Sequence, residues 1–115
     1  MIYLACPYSH KDPEVRRQRF ESANAVAAKL MQGGRHVFSP ISHTHPIAVA
    51  GDLPKGWDYW EQYDRIFLGI AKEFWVIRID GWRESVGVQA EMRIASELRL
   101  PVVFCDAQGE ETGAW

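Results

Sequence analysis

Four short apolar runs, Ile2–Cys6, His36–Ser39, Phe74–Ile79 and Val102–Cys105, alternate along this chain with three longer segments of helical period. Strands that are apolar on both faces and separated by helices need a parallel sheet covered on two sides. The order β-α-β-α-β-α-β therefore predicts an α/β fold of three layers around about four parallel strands. The first helical segment opens at "KDPEVRR", where Asp12 suits the cap and Pro13 the first helical position. It carries Phe20, Ala23, Ala27 and Leu30 on one face and stops at Gly33-Gly34. The second runs from about Trp57 to Ala71, with Trp60, Phe67, Leu68 and Ala71 on one face. The third runs from Val88 to Leu98, with Val88, Met92, Ala95 and Leu98 on one stripe, and Pro101 closes it.

A length of 115 residues suits one domain, residues 1–115. A net charge of -2 argues against a nucleic-acid polymer or an acidic membrane surface as partner. No apolar run approaches the ~20 residues of a membrane span. The chain enters "MIYLACPY" without a basic leader, so no signal peptide is expected. Cys6 and Cys105 lie in apolar runs and are too few for a disulfide framework, which predicts buried thiols and a cytoplasmic, reducing setting. A sheet of four strands is small, so a neighbouring chain should cover part of it. A homo-oligomer is expected.

Right-handed crossovers place ligands at the carboxyl ends of the strands, where strand order reverses. Those ends are Pro7-Tyr8-Ser9-His10, Pro40-Ile41-Ser42-His43 and Asp80-Gly81-Trp82. Two carboxylates fall on apolar stripes nearby. Glu91 lies three residues after Val88 and four before Ala95; Asp64 lies four after Trp60 and four before Leu68. A buried carboxylate costs several kcal/mol unless it is hydrogen-bonded or used. Local readings exist: Glu91 accepting from loop amides or sitting at its helix N-terminus, Asp64 pairing with a neighbour or a partner chain. The functional reading is a pair of acids at a crevice, which suits glycosidic cleavage. One carboxylate attacks or steadies the anomeric carbon, and the other protonates the leaving group. The helix N-terminus favours an ionised Glu91, and an apolar setting favours a protonated Asp64. Trp82, Trp57 and Tyr8 are candidates to stack on a planar base.

With "IYLACPYS", "SPISHTHP", "DRIFLGIA", "GWRESVGVQAEMRIA" and "LPVVF" in this order, the chain resembles the nucleoside 2-deoxyribosyltransferase superfamily over nearly its whole length. The resemblance implies a flavodoxin-like fold, with Glu91 as nucleophile and Asp64 aiding leaving-group protonation or sugar placement. It implies Tyr3 near the sugar and nucleophile. Ser85, six residues before Glu91, stands where the transferases carry an aspartate for the sugar 5′-hydroxyl. The related deoxynucleoside 5′-monophosphate hydrolases have serine there and bind phosphate with it. A hydroxyl beside helix-start amides, with Gly87 in the same turn, suits an anion, and Arg16 or Arg19 could add charge. The sequence departs from the family at Met92-Arg93, where Leu-Gly is usual. Arg93 then stands beside the site or faces solvent. Family members also borrow residues from a neighbouring subunit through C-terminal segments; here the chain closes on "AQGEETGAW".

Other residues are open to two readings. His43 and His45 of "SHTHP", with His10 and Asp80, could meet at a metal, but hydrogen bonding in the crevice or loop structure ahead of Pro46 comes first. Asp80-Gly81 reads as a turn and, second, places Asp80 on a sugar. "GDLPKG" reads as ordinary turn chemistry. Cys6 lacks an identifiable base and is not expected to be a nucleophile. The expectation is a cytoplasmic N-glycosidase or deoxyribosyltransferase acting on a nucleoside or its 5′-monophosphate through a covalent glycosyl-Glu91 intermediate. Neither an organic cofactor nor a metal is required. The alternative is a nucleotide-binding sensor on the same fold that has lost the chemistry.

Overall fold

The computed structural model of the protein describes residues 1–113. It is a three-layer α/β fold of the flavodoxin-like kind. The elements are β1 (Ile2–Ala5), α1 (Pro13–Gln32), β2 (Val37–Phe38), α2 (Pro40–Gly51), α3 (Trp57–Ile70), β3 (Glu73–Ile77), α4 (Val86–Glu97), β4 (Val102–Cys105) and β5 (Glu111–Thr112). The sheet order is β2-β1-β3-β4-β5, with every pair parallel except β4 and β5. The chain steps from β1 outward to β2 and then crosses to β3 on the other side of β1. Strand order therefore reverses between β1 and β3, the place where this architecture binds ligands.

Alternation along β1 builds two cores. Ile2, Leu4 and Cys6 join Trp75 and Ile77 against Ala23, Val26, Ala27 and Leu30 of α1 and Ile41 of α2. Tyr3 and Ala5 point to the other face with Phe74 and Val76, against Leu68 of α3 and Val88, Ile94 and Ala95 of α4. Tyr3, Leu4, Ala5, Phe74, Val76 and Ile77 are wholly buried, as strands covered on both faces must be. Asp12 caps α1, its side chain accepting from the Glu14 amide at 2.9 Å, with Pro13 next to it.

Three expectations change. The segment after β2 is a helix, not a loop: Ser39 caps α2, Pro40 opens it, and Ile41 and Ala48 give it a buried face. The histidines and Pro46 hid it, because an interior proline removes an amide and usually breaks a helix. The sheet has five strands, the short β5 pairing antiparallel with β4. Leu98 caps the C-terminus of α4 and is 47% exposed; the helix buries Val88, Ala90, Glu91, Ile94 and Ala95 instead. Predicted boundaries also shrink, β3 ending at Ile77 and β2 holding only Val37 and Phe38. Both cysteines are buried free thiols. Among the described residues no helix is long and apolar enough to cross a membrane.

Candidate active site

The support of the site begins inside β1. Tyr3 points to the face covered by α3 and α4, and its ring lies on Phe74 with centroids 5.8 Å apart. The packing of α4 that buries Val88 and Ala95 turns Glu91 toward the same face, where it is 5% exposed. The Tyr3 hydroxyl donates to Oε2 of Glu91. From α3, Asp64 shares the buried face with Leu68 and is 8% exposed. It lies near enough to the Tyr3 hydroxyl to interact with it. Two acids and a phenol from three elements thus meet on the face of the paired strands β1 and β3 that α3 and α4 cover.

Glu91 and Asp64 border a cavity of about 380 Å³, within the usual size of small-molecule sites, while Tyr3 backs Glu91 and is not part of the lining. Tyr8 and Ser9 line it from the end of β1, Ile41 and Thr44 from α2, Trp57, Trp60 and Asp64 from α3, and Ser85, Val86, Gly87 and Glu91 from α4. Ser85 caps α4, its Oγ accepting from the Val88 amide at 3.2 Å. A Cβ at Gly87 would meet only ordinary contacts, 3.9 Å from Trp57 and 4.0 Å from Ser85, so packing does not demand the glycine. Its effect is to leave backbone bare at the cavity.

Burial dominates the acid–base state. It pushes the Asp64 carboxyl up to about 7, the Tyr3 interaction opposing it. Burial and then the charge of Asp64 raise the Glu91 carboxyl, again opposed by the Tyr3 hydrogen bond. The helix N-terminus thus does not by itself hold Glu91 ionised, contrary to the sequence expectation. Two neighbouring carboxyls with raised pKa values hold a proton between them near neutral pH. Burial first, and the two acids next, keep the Tyr3 hydroxyl protonated well above its ordinary range.

The other expected site residues divide. Arg19 donates to the Ser9 carbonyl at 3.0 Å and to the Asp80 carbonyl at 3.3 Å, tying the loops after β1 and β3 together. Gly81 has φ +90°, and a Cβ there would lie 2.4 Å from Nη2 of Arg19. The turn reading of Asp80-Gly81 fits this geometry. Arg16 donates to the His10 carbonyl, and neither arginine is in the cavity wall. Trp82 packs on Phe104, 5.8 Å between centroids, and Arg78 lies over its ring, outside the cavity. His43 faces a second, smaller cavity. His45 meets the Tyr8 hydroxyl at 2.6 Å and stacks on Phe20, while Nδ1 of His10 accepts from the Asp12 amide at 3.0 Å. These histidines do not converge, and no metal-binding cluster of His, Cys, Asp or Glu occurs among the described residues. Arg93 is exposed, so the departure at Met92-Arg93 points its charge at solvent.

Lys55, Thr44, Trp60, Asp58 and Glu84, which no motif marked as ligand contacts, also stand in the cavity wall. Lys55 lay in "GDLPKG", where turn chemistry explained it, and Thr44 on the unrecognised α2. Lys55 shares that wall with four acids, Asp58, Asp64, Glu84 and Glu91, and its ammonium donates to the Leu53 carbonyl at 3.3 Å.

The fold and cavity define a doubly wound α/β domain with paired carboxyls at its switch point. The chain belongs to the DUF1937 family, described as a domain of unknown function, whose model matches residues 1–107. Comparison with curated proteins finds no match.

Proposed function

We propose that this cavity cleaves or transfers the N-glycosidic bond of a nucleoside or nucleoside 5′-monophosphate. The observation that carries the reading is the presence of Glu91 and Asp64 in one cavity wall, with the Tyr3 hydroxyl bonded to Glu91 from behind it. The resemblance to nucleoside 2-deoxyribosyltransferases supports it, since it implies Glu91 as nucleophile, Asp64 in leaving-group protonation or sugar placement, and Tyr3 near the sugar and nucleophile. With the shared proton on Asp64, a Glu91 oxygen attacks the anomeric carbon as the carbon–nitrogen bond breaks, and Asp64 gives its proton to the departing base nitrogen. The product is a glycosyl ester of Glu91. Asp64, now a carboxylate, then takes a proton from water or from the nitrogen of a second base as that nucleophile displaces Glu91. Tyr3 steadies Glu91 before attack and after release.

Charge weighs on the substrate. Asp58 and Glu84, with the charge left on the Glu91 and Asp64 pair, outweigh Lys55 and favour a neutral nucleoside. Ser85 and the first turn of α4 offer a phosphate its place. Base release from ribo- and deoxynucleosides and their 5′-monophosphates, followed by chromatography for wild type and Glu91→Gln, tests the reading. Release by wild type and its loss in the variant are expected; equal release by both would overturn it.

A second reading, a nucleotide-binding module without turnover, draws on the depth of Glu91, a nucleophile 5% exposed whose carboxyl burial pushes toward the neutral form. Absence of release, with monophosphates still raising Tm, is its signature.

A further inference from the structure

A second cavity, of about 160 Å³, lies back to back with the first, and Thr44, Trp60 and Asp64 line both. Its walls are rings. Phe38 stacks on Phe67 with centroids 3.9 Å apart and planes 12° apart, and Trp60 lies 5.5 Å from Tyr63. The Trp60 indole N–H donates to the Pro54 carbonyl at 2.8 Å, which fixes the ring as a partition between the two spaces. Tyr63 is 45% exposed and Ile47 47%, so the cavity opens to solvent beside them.

Size and chemistry select the ligand. The cavity falls below the ~300 Å³ where small-molecule sites usually begin, so it admits a flat heterocycle and not a whole nucleoside. Aromatic walls reward a π-face. Asp64 supplies a carboxyl within a largely apolar wall that also holds His43 and Thr44, and a carboxyl has two oxygens, so it can meet the Tyr3 hydroxyl and still bond the polar edge of a flat ring.

Resting on the proposed glycosidic chemistry, we infer that this second cavity holds a free nucleobase, stacked against Tyr63 and Phe67 with its polar edge on Asp64. The base is then the leaving product or the waiting acceptor, separated from the sugar by Asp64 itself. No contact of Tyr63 or Ile47 with the first cavity is involved, which makes both useful probes.

Calorimetric titration of wild type with adenine, cytosine and thymine, in the absence of any nucleoside, tests the site. Binding of at least one base is expected, weakened tenfold or more by Tyr63→Ala and by Ile47→Phe, which narrows the opening. Val86→Trp, which fills the first cavity from a position 70% exposed, should bind that base as wild type does. Failure of every base to bind overturns the inference. So does wild-type affinity in Ile47→Phe together with lost binding in Val86→Trp. Should Tyr63→Ala not fold, as judged by its melting curve, Ile47→Phe decides alone. Binding needs no turnover, so base bound without base release sinks the reaction and leaves the site, whereas release without binding does the reverse. Labelled base added during nucleoside cleavage separates the two roles: incorporation into new nucleoside marks an acceptor, and slowed release alone marks a product.

Discussion

The Tyr3 hydroxyl hydrogen-bonds Glu91 across 88 positions of sequence, joining the middle of the first strand to the last helix. Tyr3 is wholly buried and its ring is fixed by Phe74 and Phe38, so the bond orients Glu91 and not the reverse. Removing the hydroxyl alone is the direct probe. Tyr3→Phe keeps the ring packing and leaves a buried carboxyl without its donor. It should lower stability by about 1 to 3 kcal/mol in urea denaturation. If Glu91 is the nucleophile, base release should fall about tenfold to a hundredfold as well.

Glu91→Gln keeps the volume and discards the charge. A covalent mechanism through this carboxylate predicts at least a thousandfold loss of base release, measured by chromatography. The same substitution should raise Tm at pH 8, by about 5 °C, because it removes a desolvated ionisable group. Loss of activity with a gain in stability separates a functional acid from a structural one.

The pH dependence has a defined sign. Asp64 has an ordinary value of 3.8 and is raised to about 7 in the fold. The folded state therefore binds this proton more tightly than the unfolded chain does. The resulting stabilisation is full below about pH 4 and is lost as pH rises through about 7. The rise at Glu91 acts in the same direction. Urea denaturation of wild type from pH 5 to pH 8 should show stability falling, against the trend of a salt-bridged carboxylate. Asp64→Asn should flatten the profile; an unchanged slope would count against the raised value.

Ser85 combines two roles that substitution can part. Its Oγ caps α4, so Ser85→Ala should cost about 1 kcal/mol in thermal or urea melts. Ser85→Asp keeps a capping oxygen and adds negative charge at the cavity. It should melt near wild type and shift any preference away from 5′-monophosphates toward nucleosides, as read by competitive base release.

Gly81→Ala tests the strap between the loops after β1 and β3. The positive φ strains any side chain at this position, and a methyl group there would displace the end of the Arg19 side chain, whose Nη2 lies 2.4 Å from it. A loss of about 1 to 3 kcal/mol is expected in urea denaturation. A second change, Arg19→Ala, should recover the steric part of that loss.

Local pattern alone determined the parallel sheet, because short runs apolar on both faces and split by amphipathic helices have few other ways to bury themselves. It also exposed Glu91 and Asp64, since an acid on an apolar stripe breaks a period that a single chain displays. It could not display α2, where Pro46 and two histidines mask a helix that Ser39, Pro40 and packing of Ile41 and Ala48 sustain. Nor could it separate Arg19, tying two loops, from a ligand-binding cation, because both uses want the same residue near the same edge. Only tertiary structure brought Tyr3 to Glu91, and only it set Asp64 and Trp60 between two cavities. Periodicity assigns a side chain to a face of its own element; which groups meet across that face is decided by how the elements pack.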